Sequence, residues 1–520
     1  MSADRHNQST IRFDRKGASA GFPETVGLTI LFHPQVDRVG DIAPLMDYVS
    51  NERALVSRIE PVFRKPNGRR TDALASPVLS RKPLQIEVTQ DGGISICNTS
   101  DTVEAIADSE VLRPSRSFSR AEFYRGIVLS LADRVALLLH PMQVTRNHSD
   151  LLGIIGYSPP IQRLRSAILN VADFDVPVLL QGESGVGKEL VASAIHRYSR
   201  RNGRPYVCVN MSAIPSSLAA SELFGYVKGA FSGAERNHSG YFCDAEGGTL
   251  FLDEIGETTL EVQSVLLRAI ENKKLQPIGG KIRDIDVRVI AATDFNLERA
   301  VKKGLFRGPL LQRLSGYRIN IVPLRQRRDD IGRLFVHFLR SELEAIGQVD
   351  RLQERSPGRS WITAGLVAQL AEYEWPGNVR QLQNVTRQLV ISNRDSRELN
   401  ADSVLDELLT RKNLPDAEEM PTQNQPVKKR RVAELSDQEI IDVLRRHRFN
   451  LNLTCSELGV SRNWLNKFIE HCPYLRKAKD LGEEEIRLCA AECGDDINAM
   501  AARLEVSLRG LQLQIKRLGM

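Results

Sequence analysis

The stretch Gly182-Glu183-Ser184-Gly185-Val186-Gly187-Lys188-Glu189 sets glycines and a lysine at a spacing suited to a polyphosphate. Glycines let backbone N–H groups face phosphate oxygens, a following helix adds its positive dipole end, and Lys188 reaches the β/γ oxygens. Where such loops usually end in a hydroxyl ligand for Mg2+, this one ends in Glu189, so the metal must be held from elsewhere. The run Gly247-Gly248-Thr249-Leu250-Phe251-Leu252-Asp253-Glu254 offers the source: Asp253 beside the metal and Glu254 to polarise the attacking water. Phosphoryl transfer also needs positive charge in the transition state. Arg307 and Arg313, in FRGPLLQRL, are candidates for reaching a neighbouring subunit's nucleotide in a ring. The plain alternatives are a surface Asp-Glu pair at a strand end and ordinary salt-bridging arginines.

These groups need a rigid frame. From Gly153 short apolar runs (Val178-Leu179-Leu180, Thr249 to Leu252, Val287 to Ala291) alternate with helical stretches, which predicts an α/β domain with a mostly parallel sheet over 153–322. After Pro323 the pattern is helical until about residue 395 and predicts a helical lid. Residues 396–434 read as a linker, polar and proline-bearing from Thr410 onward. Upstream, after a flexible stretch 1–25, Val26, Leu28, Ile30 and Phe32 share one strand face. The device repeats at Leu84-Ile86-Val88, Ile127-Leu129-Leu131 and Val135-Leu137-Leu139, which predicts a β-sandwich over 26–141.

The tail, 435–520, carries an internal repeat. Asn452 to Ser461 matches Asn498 to Ser507 at an offset of 46, each copy ending in Val-Ser before a second helical stretch. Ser461 and Ser507 suit N-caps, and the spacing is that of a helix-turn-helix, so the tail reads as an all-α tandem pair. Arg462, Asn463 and Lys467 head the first candidate recognition helix, Arg509 and Gln512 the second. From Lys428 onward there are 17 Lys+Arg against 14 Asp+Glu, a net of +3, with positives clustered at Lys428-Lys429-Arg430-Arg431 and Arg445-Arg446. That suits phosphate contacts on double-stranded DNA. The plain alternative is that one copy serves packing or dimerisation.

Composition sets the outer bounds. A chain of 520 residues exceeds one domain, and the net charge of +6 is mild. There is no run of eighteen apolar residues, and the polar N-terminus lacks a signal-peptide core, so the expectation is a cytoplasmic protein without a membrane partner. Seven cysteines with no C-x-x-C pair fit a reducing compartment. His471, Cys472, Cys489 and Cys493 match no zinc template, which leaves them as helix-packing residues.

Over residues 153–392 the sequence resembles the bacterial enhancer-binding proteins, the AAA+ activators of sigma-54 RNA polymerase. The resemblance implies that Ile155-Gly156 lies against the nucleotide base, and it accounts for Glu189, which ends the family's loop too. It implies that Asn210 in VCVN holds the catalytic Glu254 until γ-phosphate is sensed. In WPGNVRQLQN it implies that Arg380 is the lid's nucleotide-sensing arginine. The most specific match is ELFGYVKGAFSGAE, where Gly229-Ala230-Phe231-Ser232-Gly233-Ala234 stands for the family's GAFTGA tip, which grips sigma-54 during hydrolysis. Three departures stand out: Ser232 for Thr, Asp294 for the usual Asn at the γ-phosphate sensor, and Gly308-Pro309 between the two candidate arginine fingers.

The tail resembles the Fis-type helix-turn-helix of these activators, duplicated. The N-terminal sandwich resembles an FHA domain in LSRKPLQIEV and GIVLSLADRVALLLH. That implies a phosphothreonine protein as partner, with Arg38, Ser80 and Arg81 as candidate contacts, although the usual His after the Ser-Arg step is absent; the competing reading is a sandwich that only contacts the AAA+ ring. No receiver-type acidic pocket is visible. The resulting expectation is a multidomain protein: an FHA-like β-sandwich, an α/β AAA+ P-loop ATPase with a helical lid, and tandem helix-turn-helices. Its cofactors would be ATP and Mg2+, and its partners sigma-54 RNA polymerase, enhancer DNA and copies of itself in a ring, expected to be a hexamer. The rivals are an AAA+ DNA-binding regulator acting without sigma-54 and a remodeller outside transcription.

Overall fold

The structure, a computed structural model, describes residues 25–401 except 46–48, 51–52, 101–102, 143–151, 232–233, 354–359 and 397–398, together with scattered residues of 437–517. Two units separate, Met1–Asp406 and Glu407–Met520.

In the first unit the N-terminal strands pair antiparallel in two sheets. One runs in the order Ile42–Pro44, Thr25–Phe32, Val135–Met142, Ile127–Leu131, Ala105–Ala107, Glu110–Val111. The other runs Val49–Ser50, Arg53–Val56, Leu84–Val88, Ile94–Asn98, Ser115–Phe118. Their facing side chains, among them Leu28, Ile30, Ile86, Ile96, Leu129 and Leu137, are buried in one core. Each such side chain contributes roughly 1.5–3 kcal/mol on burial.

The strand Thr25–Phe32 departs from the alternation the sequence suggests. Every one of its residues is buried, so both faces of the sheet are covered. The lid provides the second cover. A Cβ added at Gly332 would run into the carbonyl of Leu31, and one at Gly40 into Arg333, so backbone lies directly on its neighbour at both places. Asp133 of the sandwich accepts from Gly365 N at 2.6 Å at the start of the lid helix Ala364–Glu372, and Ser109 Oγ donates to Glu372 at its end.

Residues 154–322 build the predicted parallel sheet, in the order Tyr206–Asn210, Thr249–Asp253, Arg288–Thr293, Val178–Gln181, Tyr317–Asn320. The central strands are continuous apolar runs because helices cover both faces, as in Val178-Leu179-Leu180 and Leu250-Phe251-Leu252, all fully buried. The lid follows as helices Ile331–Ala345, Ala364–Glu372 and Asn378–Ser392. Trp375 is fully buried there and donates from Nε1 to the Leu370 carbonyl at 2.7 Å.

In the second unit two small cores are described. One gathers Ile440, Ile441, Leu444, Phe449, Leu465 and Cys472, the other Leu481, Ile486, Cys489, Met500, Ala501, Val506 and Leu511. Ile440 and Ile486, Thr454 and Met500, and Leu465 and Leu511 are all buried, and each pair falls at the repeat offset of 46. The helices Asp437–Arg446 and Glu483–Cys493 begin at the same offset. Cys472 and Cys489 thus sit in separate apolar cores. The candidate DNA contacts Ser461, Arg462, Asn463, Lys467, Arg509 and Gln512 lie outside the described residues.

Candidate functional site

The phosphate loop joins the buried strand Val178–Gln181 to the helix Lys188–Arg197, whose N-terminus it forms. Gly185 and Gly187 have φ of +75° and +104°, a region that only glycine enters freely, and this turns the loop's N–H groups to one side. Lys188 is buried, donates to the Gly182 carbonyl at 3.0 Å and lies 3.7 Å from Glu254. Glu189 is exposed on the first turn, with its charge felt by Tyr206 and Cys208 of the edge strand.

Asp253 ends its strand in register with Asn210, and its Oδ1 accepts from Glu254 N at 3.0 Å. Glu254 adopts φ +54°, a strained conformation outside glycine that turns its side chain out of the strand line toward Lys188. Burial pushes the Glu254 carboxyl up to about 7; Lys188 opposes the shift and Asp294, hydrogen-bonded to it, adds to it. Asp294 thus adds to the upward shift that burial gives the neighbouring glutamate.

Asn210 ends the strand beside that of Asp253 and caps the turn that follows it. Its Oδ1 accepts from Ser212 N at 2.9 Å and Ser212 Oγ at 2.7 Å, while Lys188 and Asp294 attend Glu254.

Ile155 and Gly156, expected against the base, lie next to the start of the lid. Gly156 has φ +130°, and a Cβ there would come within 2.6 Å of the Asp330 carboxylate. Asp330, at the start of the lid, accepts from Tyr157 N at 2.6 Å and from Ser158 Oγ at 2.6 Å. Arg380 reaches the loop from the lid, with Nη1 3.2 Å from Ser184 Oγ. Arg307 sits at the N-cap of the helix Gly308–Leu314 and Arg313 in its last turn, and both are exposed. Gly308-Pro309 simply opens that helix, since proline suits a first turn. Arg307 N is held by Gln263 at 2.8 Å, and Arg313 pairs with Glu271.

The carboxylates around Lys188 are hard oxygen donors of the kind Mg2+ takes. Among the described residues no three His, Cys, Asp or Glu converge tightly enough to hold a metal alone. Mg2+ takes one or two carboxylates and completes its shell from substrate phosphates and water, and Asp253 would be the residue to supply one.

The Phe231 loop projects from a braced stem. Tyr226 and His238 exchange backbone hydrogen bonds at 3.0 and 2.9 Å, and Val227 N donates to Ile278 at 3.1 Å. Gly229 N donates to Ala234 at 2.9 Å and Ala234 N to Phe231 at 3.0 Å, closing the tip. Phe231 is 44% exposed, with its ring edge-on to Tyr226 at 4.9 Å. Ser232 and Gly233 lie outside the described residues.

Residues 154–320 match the family model described as the Sigma-54 interaction domain, and residues 325–421 match that of an AAA+ ATPase lid domain. The chain carries a sigma-54-activator AAA+ ATPase domain with its lid. Curated relatives agree. The chain is 45% identical over 237 residues to the regulatory protein LuxO of Vibrio cholerae (45% of this chain, 43% of the relative). It is 49% identical over 243 residues to the nitric oxide reductase transcription regulator NorR2 of Cupriavidus necator (46% and 45%). It is 42% identical over 267 residues to the DNA-binding transcriptional regulator NtrC of Escherichia coli K12 (51% and 55%). The chain thus spans about half the length of the curated relatives it matches. Within the described residues no helix is long and apolar enough to cross a membrane.

Outside the AAA+ domain the structure separates two of the sandwich candidates. Arg38 is buried, with its guanidinium spent on the carbonyls of Asp72 at 2.6 Å and Ala73 at 2.8 Å. It therefore braces the sandwich and is not presented to a ligand. Arg81 is exposed, and the Ser80 carbonyl accepts from the backbone N–H of Arg58 at 3.2 Å.

Proposed function

We propose that this protein is a sigma-54-dependent transcription activator that hydrolyses ATP to remodel the closed polymerase–promoter complex. The observation that carries this reading is the half-exposed Phe231 on a braced, glycine-flanked tip, projecting from a domain that matches the Sigma-54 interaction domain. The transcription regulators NtrC and NorR2 share that domain.

In this reading the loop N–H groups and Lys188 bind the β- and γ-phosphates. Asp253 holds Mg2+, which when bound neutralises charge on the phosphates. Glu254 takes a proton from the attacking water. Arg307 and Arg313 complete the site of the next subunit in a ring, a hexamer in the proposal, so hydrolysis waits on assembly. The C-terminal repeats bind enhancer DNA and raise the local concentration that assembly needs; two equivalent cores at one offset support a duplicated module. The sandwich controls the cycle through the lid it covers. Of the candidate phosphothreonine contacts, exposed Arg81 remains available to a ligand, whereas Arg38 is buried.

Hydrolysis is the step to test first. Lys188→Ala should reduce ATP turnover by at least about a hundredfold, the cost of losing one preorganised charge at the reacting phosphate. Near-normal turnover in that variant would remove the phosphate loop from the mechanism.

A further inference from the structure

Every residue from Glu183 to Val186 has a partner in the lid. Arg325 makes a two-pronged pair with Glu183, Nη1 to Oε2 at 2.8 Å and Nη2 to Oε1 at 2.6 Å. Asn378 Nδ2 donates to Glu183 Oε2 at 3.1 Å and to the Ser184 carbonyl at 3.0 Å. Val379 N and Arg380 N donate to the Gly185 carbonyl at 3.1 and 3.3 Å, and Arg327 Nη2 to the Val186 carbonyl at 3.4 Å. A Cβ at Gly185 would strike the Gly377 carbonyl, so loop and lid also meet backbone to backbone.

Asn378 is central to this contact. It is fully buried and sits at φ +51°, a left-handed conformation that asparagine tolerates better than most residues. Besides its two donated bonds, its Oδ1 accepts from Leu324 N at 2.8 Å, so three chain segments meet at one amide. Glu183 is committed in the same way. Both carboxylate oxygens face lid donors, and the Arg325 bonds hold its carboxyl below the usual glutamate range. A carboxylate in a loop meant for anions needs such a cationic partner, or it repels the phosphates.

We propose that Glu183, Arg325 and Asn378 form a latch that makes lid position and phosphate-loop conformation a single variable, with Glu183 a positioning residue and not a phosphate ligand. The proposal rests on the ATPase reading above. Lid rotation then cannot occur without displacing the loop, so nucleotide release and any movement imposed on the lid are coupled.

The test uses the full chain with Glu183→Gln, Arg325→Gln and the double variant, read in two ways. The first is KM and kcat for ATP. Each single change is expected to raise KM about tenfold, near the lower end of what one charge-assisted hydrogen bond contributes, while kcat shifts about twofold or less, because Lys188, Asp253 and Glu254 are untouched. The double variant should be no worse than the poorer single, since both break one device. Unchanged KM in the singles, or single effects that multiply in the double, would overturn the latch. The second is hydrogen exchange of the helix Asn378–Ser392 without nucleotide, which should quicken in both singles. Unchanged exchange would also overturn the latch. If the wild type neither binds nor hydrolyses ATP, the ATPase reading fails, and the exchange comparison still decides the latch.

Discussion

Glu254→Gln is expected to lower kcat about a thousandfold while ATP still binds, the range for a positioned base in proton transfer. The phosphate loop and Lys188 are untouched by the change, so KM should move little by comparison. The environment of Glu254 adds a pH signature. Burial, aided by Asp294 and opposed by Lys188, pushes its carboxyl up to about 7. Only the ionised form accepts a proton. With the folded-state value above the ordinary one, the base is fully present above pH 7 and is lost as pH falls through it. The wild-type kcat/KM should therefore climb between about pH 6 and 8, since that ratio reports groups of the free enzyme. In Glu254→Gln the residual rate should lack this limb. A variant that keeps near-normal kcat, or keeps the same limb, would assign the base elsewhere.

Phe231→Ala is expected to leave ATP hydrolysis within about twofold and to reduce sigma-54-dependent transcription by roughly thirtyfold or more. The reason is local. The ring is 44% exposed and touches Tyr226 at the loop stem, so truncation removes an apolar contact without opening a core. An aromatic anchor at the centre of an interface typically costs 2 kcal/mol or more when truncated, roughly a thirtyfold loss. Steady-state ATPase and transcription from a sigma-54 promoter, measured on one preparation, separate the outcomes. Loss of both activities would point to a folding or assembly defect. Full activation would show that the contact lies elsewhere on the domain.

Much of this architecture is legible in local sequence. A glycine-rich loop between an apolar run and a helix, and an apolar run ending in Asp253-Glu254, are short-range features, and the parallel sheet and helical lid follow from pattern alone. The alternating N-terminal strands are likewise legible as a β-rich region. What stayed hidden depends on contacts between distant residues. Glu183 meets Arg325 at a separation of 142 residues and Asn378 at 195, and nothing near Glu183 marks it as a lid contact. The alternation places Val26, Leu28, Ile30 and Phe32 on one strand face, yet Thr29 and Leu31 between them are buried too, and the lid residue Gly332 lies against the Leu31 carbonyl. Arg38 reads in sequence as a binding-loop arginine, and only the packing shows its guanidinium held by the carbonyls of Asp72 and Ala73. The resemblance assigned Asn210 to Glu254; the contact between Asp294 and Glu254, 40 residues apart, had no local mark in the sequence.

The most direct measurement is capture of sigma-54 by the purified protein without nucleotide, with ADP, and with ADP plus aluminium fluoride, which mimics the transition state of hydrolysis. The prediction is stable binding only in the trapped state, where the Phe231 tip is raised. Absence of binding in all three states, in a preparation that hydrolyses ATP, would contradict an activator that works through sigma-54.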